Sequence, residues 1–232
     1  MIVDPRFSGP PGSGNGGYVA GLAASYVGGV AEVTLRLPPP LGTELAVGRD
    51  GDGVRLTDDG RVVVEAVPAD LELDLPAPVG FEEATEARSR YPWHDGGHPF
   101  PTCFVCCPDR DDGLRLFPGA VRDGAVAATT WVPDASLPTD DGVVREEVVW
   151  AALDCPSYYG GALGLPGQPT AVLGRMTARV DSRPQVGDRL VVMGWGLGVD
   201  RRKVGAGSAL LTERGEVLAV ARAVWILLDG DR

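Results

Sequence analysis

Lysine occurs once in this chain, at Lys203, and histidine twice, at His94 and His98, among 232 residues. Basic charge is therefore almost entirely arginine, and its longest run is Arg201-Arg202-Lys203. With a formal net charge of −11 and no larger cationic cluster, a nucleic-acid surface is excluded as an expectation, because phosphate affinity needs a patch of cations. A small anionic ligand stays open. No stretch approaches the roughly 18 to 20 continuous apolar residues of a membrane helix, and the opening MIVDPRFSGPPG has no charged segment followed by an apolar one. A cytoplasmic protein without a membrane partner is expected. Four cysteines are too few for a disulfide scaffold in a chain this long, and Cys103, Cys106 and Cys107 fall within five residues, which suits reduced thiols or a metal. With two histidines, a Ser-His-Asp or Cys-His hydrolase has little to draw on, and no nucleophile elbow is present.

Glycine and proline are plentiful instead, 33 and 20 residues, which means many turns. A hydrophobic fraction of 44% is enough for a core, in one large domain or two small ones.

The order of segments repeats. Gly16 to Gly29 is apolar, Val30 to Val47 reads as strand, Pro-containing loop and strand, and Val54 to Val67 reads as a hairpin. Val148 to Gly161, Val172 to Trp195 and Ser208 to Val224 follow the same order. The hairpin turns match best, with Thr57-Asp58-Asp59-Gly60-Arg61-Val62 over Thr212-Glu213-Arg214-Gly215-Glu216-Val217. Leu114 to Phe117 and Val126 to Val132 supply the second half with strands that the first half lacks before Phe7. Both helical segments are apolar nearly all round, which buries a helix on every side. A central helix wrapped by a curled antiparallel sheet is the hotdog arrangement. The expectation is an α+β double hotdog, with units at 1–75 and 102–232 joined by a Pro-rich, charged linker at 76–101.

Phe7 to Gly21 (FSGPPGSGNGGYVAG), Cys103 to Gly119 (CFVCCPDRDDGLRLFPG) and Ala151 to Ser157 (AALDCPS) resemble the PaaI-like hotdog thioesterases in their fused, actinobacterial form. In that family a His or Asn followed by Gly-Gly opens the central helix, and an Asp or Glu about two turns later acts on an acyl-CoA thioester. Asn15-Gly16-Gly17 matches the opening in the first half, but near Ala24, where the acid falls, there is no carboxylate. Asp154 matches the acid in the second half, but Arg145-Glu146-Glu147 has no glycine pair. Family sites lie between two hotdogs, so the resemblance implies one composite site, Asn15, Gly16 and Gly17 with Asp154, and one dead site. It also implies an acyl-CoA or acyl-carrier thioester as partner and a homodimer.

These residue types fit that chemistry. Amides at a helix N-terminus are fixed donors for the negative charge of a thioester carbonyl under attack, and glycine lets substrate approach the backbone. An aspartate in an apolar helix has its pKa raised, as suits a general base or a nucleophile. Ser157, one turn on, could position water or the carboxylate, and Pro156 is expected to distort the helix there. Arg201, Arg202 and Lys203 could hold the CoA phosphates or form a solvated turn. His94, His98, Cys103 and Cys106 form H-x3-H-x4-C-x2-C, a spacing able to close a tetrahedral zinc site; otherwise the cysteines pack as small apolar residues, and no metal or other cofactor is assigned. Trp150, Tyr158, Tyr159 and Trp195 read as core aromatics rather than pocket walls. Gly12 to Gly17 satisfies GxGxxG but lacks the preceding strand of a dinucleotide site. The alternative to a hydrolase is a non-catalytic acyl-CoA or acyl-lipid binding protein of the same fold.

Overall fold

The valine- and alanine-rich runs become strands and the two apolar segments become helices in the computed structural model, which describes residues 1–228. The first half contains α1 (Gly16–Ala24), β1 (Ala31–Leu35), β2 (Ala46–Asp50), β3 (Gly53–Asp58) and β4 (Arg61–Pro68). After α2 (Phe81–Ala87) come β5 (Gly119–Val121), β6 (Val126–Trp131) and the small hairpin β7 (Thr139–Asp140) and β8 (Val143–Val144). The rest is α3 (Glu146–Gly161), β9 (Ala171–Val180), β10 (Leu190–Asp200), β11 (Lys203–Thr212) and β12 (Val217–Leu227).

Ten strands form one antiparallel sheet in the order β2-β3-β4-β1-β9-β12-β11-β10-β6-β5. The two halves of the chain meet at the β1–β9 pair, Ala31 opposite Ala178, from which β4-β3-β2 run out on one side and β12-β11-β10-β6-β5 on the other. The repeat extends to an irregularity: one residue is skipped in the ladder three positions after each turn glycine, Val63 after Gly60 and Leu218 after Gly215. The turns themselves differ. Asp58 pairs with Arg61 across Asp59-Gly60, both at positive φ as a two-residue hairpin requires, whereas the Thr212 amide reaches the Glu216 carbonyl across one residue more. Thr57 therefore occupies the place of Leu211, and the Thr57–Thr212 match slips by one.

The two long helices pack antiparallel, because Gly17 abuts Trp150 and Asp154 while Gly21, one turn later, abuts Glu147. Their approach depends on hydrogen side chains: a Cβ on Gly17 would fall 2.5 Å from that of Asp154, and one on Gly21 2.5 Å from the Glu147 Cα. The sheet curls over α3, and β10 crosses it at Gly194, where a Cβ would meet the Pro156 carbonyl at 2.0 Å. Trp150 and Leu153 are fully buried in this core.

Two expectations change. The 76–101 segment is more than a linker: α2 lies on the opposite sheet face, where Ala84 and Ala87 pack with Val191, Met193 and Trp195. Alternate residues of β10, Leu190 and Val192, face the main core, as the two-residue strand period requires. Leu114 to Phe117 is not a strand, although the Leu114 and Leu116 amides bond the Phe104 and Val105 carbonyls. Pro156 lies inside α3, which runs on to Gly161. In that disturbed turn Ser208 Oγ donates to the Leu153 carbonyl and Ser157 Oγ to that of Asp154.

Candidate active site

A cavity of about 350 Å³ opens between the start of α1, the middle of α3, the beginning of β9 and the loop at 98–106. That is within the range of small-ligand sites. Asn15, Gly16 and Asp154 are among its lining residues, with Leu35, Leu173 and Ile226 among its apolar walls.

Asn15 is the N-cap of α1, its Oδ1 accepting from the Tyr18 amide at 2.9 Å. Its Nδ2 donates to Asp154 Oδ2 at 2.7 Å. The other carboxylate oxygen, Oδ1, is buried and has no hydrogen-bond partner among the described residues. Asp154 is 2% exposed, and burial, assisted by the Cys103 thiol, pushes its pKa up to about 7 against the opposing pull of the Gly17 amide and Asn15. A carboxyl so placed titrates near neutrality. Gly16 carries the first amide of the helix, one of the donors that an α-helix leaves without an internal acceptor.

The other residues singled out in the sequence are distributed as follows. Ser157 is fully buried, and its hydroxyl donates to the Asp154 backbone carbonyl and accepts from Trp225 Nε1 at 2.9 Å, so it is not hydrogen-bonded to the carboxylate. Arg201, Arg202 and Lys203 form the exposed turn from β10 to β11; Arg202 Nε donates to the Leu227 carbonyl, and Lys203 lies opposite Ile226 in the ladder. Among the cysteines His98 reaches Cys106 alone, and His94 is turned to the Arg88 carbonyl and does not join Cys103 and Cys106. Cys155 of α3 takes its place, with Cys103 Sγ 3.5 Å from Cys106 Sγ and 3.7 Å from Cys155 Sγ. The bonds from Cys106 and Cys155 hold the Cys103 thiol below the ordinary range, while burial pushes Cys106 up and the bond to Cys103 pushes Cys155 up.

Tyr158 and Tyr159, read from sequence as core, line the cavity, as does Trp225. Tyr91 donates to the Cys106 carbonyl at 2.7 Å and so accepts from Tyr159 at 2.8 Å, tying α3 to the cysteine loop. The signal for these residues was present only as Tyr158-Tyr159 following Asp154 by one turn.

No family model matches the chain, and no curated protein does. Solved structures do. A tesB protein from Mycobacterium avium subsp. paratuberculosis superposes with a TM-score of 0.61 at 14% identity over 94% of this chain and 89% of that one. A conserved protein of unknown function with a hot dog fold from Alicyclobacillus acidocaldarius gives 0.61 at 12% identity over 99% and 92%. The chain has the hotdog fold. A candidate thioesterase II from Thermobifida fusca matches the hotdog chain equally well, with a TM-score of 0.61 at 15% identity over 99% and 93%. Among the described residues no helix is long and apolar enough to cross a membrane.

Proposed function

We propose that the protein hydrolyses an acyl thioester, with acyl-CoA as the substrate class, at one composite site between two fused hotdog units of the PaaI-like type. The observation that carries this reading is the bond from Asn15 to Asp154 in the lining of an apolar cavity, since it joins the helix opening of one half to the carboxylate of the other. The repeated strand order on either side of the β1–β9 pair supports units at 1–75 and 102–232. At the other end of the helix pair, where the second site would fall, Trp150 packs with 0% exposure against Gly21. The thioesterases among the similar structures agree with this reading.

In the proposed reaction the thioester carbonyl points its oxygen at the α1 N-terminus, and Gly16 N–H with the helix dipole receives the developing oxyanion. Asp154 Oδ1 takes a proton from water as the water oxygen bonds to the acyl carbon. The C–S bond then breaks, the thiolate leaves and the proton returns to sulfur. Asn15 holds Oδ2, which leaves Oδ1 as the carboxylate oxygen with no protein partner among the described residues. Arg201, Arg202 and Lys203 would meet the CoA phosphates, because Lys203 adjoins Ile226 of the cavity wall.

The test is thiol release from short, medium, long and aromatic acyl-CoAs by wild type and Asp154→Asn. Turnover that falls by about a hundredfold or more in the variant, with acyl-CoA binding retained, is the expected result. Equal turnover in the two proteins overturns the role of Asp154. Binding without turnover in wild type replaces the hydrolase with an acyl-CoA binding protein. After many turnovers in heavy-oxygen water, label in the Asp154 peptide would instead make that carboxylate a nucleophile.

A further inference from the structure

Three cysteine sulfurs from two distant parts of the chain meet beside the cavity. Cys103 and Cys106 come from the loop and Cys155 from α3, and their sulfurs all lie within 4.8 Å of one another. Each side chain is buried in a protein core that has ample apolar residues to fill such a space. The separations have a specific chemical meaning. A tetrahedral zinc ion with Zn–S bonds near 2.3 Å places its sulfurs about 3.8 Å apart, and Cys103 stands 3.5 Å from Cys106 and 3.7 Å from Cys155. A disulfide needs sulfurs at roughly 2.05 Å, so none of the cysteines is paired that way.

His98 borders the group through Cys106 but does not stand within 4.8 Å of all three sulfurs. It is 8% exposed, and its Nε2 lies 3.3 Å from Cys106 Sγ, where an imidazole and a thiolate on one zinc ion would be about 3.6 Å apart. Its Nδ1 is 2.8 Å from the Phe100 carbonyl. Nδ1 also accepts from the Phe100 amide at 3.0 Å, which places the proton of the neutral ring on Nε2 facing Cys106; as a metal ligand His98 would carry that proton on Nδ1 instead, donated to the Phe100 carbonyl, a backbone acceptor being the usual support of a metal-bound histidine. The Cys103 and Cys106 spacing, C-x2-C, is that of a zinc knuckle.

We propose that Cys103, Cys106 and Cys155 bind a zinc-class divalent cation that fastens the loop to α3 next to Asp154, and that His98, moving in from its place beside Cys106, closes the coordination with Nε2. Binding converts three thiols to thiolates, each sulfur giving a lone pair to the ion and its proton to solvent. The ion closes its coordination with protein atoms, and its part is structural. It holds Cys155, the neighbour of Asp154, and two residues of the cavity wall in fixed positions.

Elemental analysis of protein purified without chelator is expected to find one zinc-class ion per chain. Metal-free protein titrated with cobalt(II) under reducing conditions should develop thiolate-to-cobalt charge-transfer bands and the intense visible bands of a tetrahedral site, saturating at one equivalent. Cys155→Ser and Cys103→Ser should lose most of that intensity, His98→Ala should shift the visible bands, and His94→Ala should leave them unchanged. If the cysteine variants do not fold, the His98→Ala and His94→Ala pair still decides the ligand set. A folded wild type that carries no metal and gives no cobalt bands overturns the proposal, as does a Cys103–Cys106 or Cys103–Cys155 disulfide in protein kept reduced during purification. None of these readouts depends on hydrolase activity.

Discussion

Asn15 and Asp154, 139 residues apart in sequence, are joined by a 2.7 Å bond from Nδ2 to Oδ2, while the other end of the same amide caps α1. The asparagine therefore does two separable things. Asn15→Ser retains a capping oxygen and removes the donor to Asp154; Asn15→Ala removes both. Loss of the cap costs about 1 kcal/mol, and depriving a buried carboxylate of its partner about 1 to 3 kcal/mol more. Urea unfolding should rank wild type above Asn15→Ser above Asn15→Ala, whereas kcat/KM for thiol release should fall by about tenfold or more in both variants alike. Activity that follows the cap rather than the donor would contradict the positioning of Asp154 by Asn15.

Gly17 and Gly21 set the distance between the helices, but only Gly17 touches Asp154. An alanine at either position meets atoms that cannot yield cheaply, the Trp150 carbonyl at 2.7 Å from a Cβ on Gly17 and the Glu147 Cα at 2.5 Å from one on Gly21. Each substitution should cost about 1 to 3 kcal/mol by overpacking. The two should differ in catalysis: Gly17→Ala displaces the carboxylate and lowers kcat, while Gly21→Ala, at the far end of the contact, lowers the melting temperature with kcat near wild type. Matching kcat values in the two variants would show that the spacing at Gly17 does not matter to the site.

Much of this arrangement was legible because it is written in local pattern. The apolar helices and the two hairpins follow from residue types and order, whereas the complementary defects of Asn15-Gly16-Gly17 and Asp154 were visible only through the family resemblance. The helix at Phe81–Ala87 was not legible, since its buried face is only Ala84 and Ala87, too small a stripe to mark a helix within Pro-rich flanks. The cysteine cluster was half legible. Spacing grouped His94 with Cys103 and Cys106, but local spacing cannot show that α3 brings Cys155 to the same place while His94 turns to the Arg88 carbonyl. Tyr158 and Tyr159 read as core because a cavity wall and a core use the same aromatic residues.

Arg110 ties the segment before α1 to the cysteine loop. Its guanidinium donates to the Arg6 and Thr102 carbonyls, to Ser8 Oγ and to both carboxylate oxygens of Asp112. Arg110→Ala should cost about 2 kcal/mol at pH 7, the scale of charge-assisted hydrogen bonds lost from partners that stay behind. Arg110 also holds the Asp112 carboxyl below its usual range, chiefly through that hydrogen bond. A depressed pKa contributes stability above the unfolded value, near 4, and loses it as pH falls through the folded one. The difference between wild type and Arg110→Ala in urea should therefore shrink between pH 7 and about pH 3. A difference that widens on acidification would reverse the sign and rule out the pair as its source.

Ser157 faces away from the carboxylate and toward the cavity wall, since its hydroxyl is the acceptor for the Trp225 indole. Ser157→Ala leaves that buried N–H unpartnered, at a cost of about 1 to 3 kcal/mol, and frees a tryptophan that lines the cavity. A loosened wall weakens substrate and transition state together, which raises KM and leaves kcat near wild type. A serine that positioned the attacking water would give the opposite pattern, with kcat falling and KM unchanged. Steady-state kinetics of Ser157→Ala on the best acyl-CoA substrate, read beside its thermal unfolding midpoint, separates the two: a stability loss with a KM effect is expected, and a kcat loss at unchanged stability would return Ser157 to the chemistry.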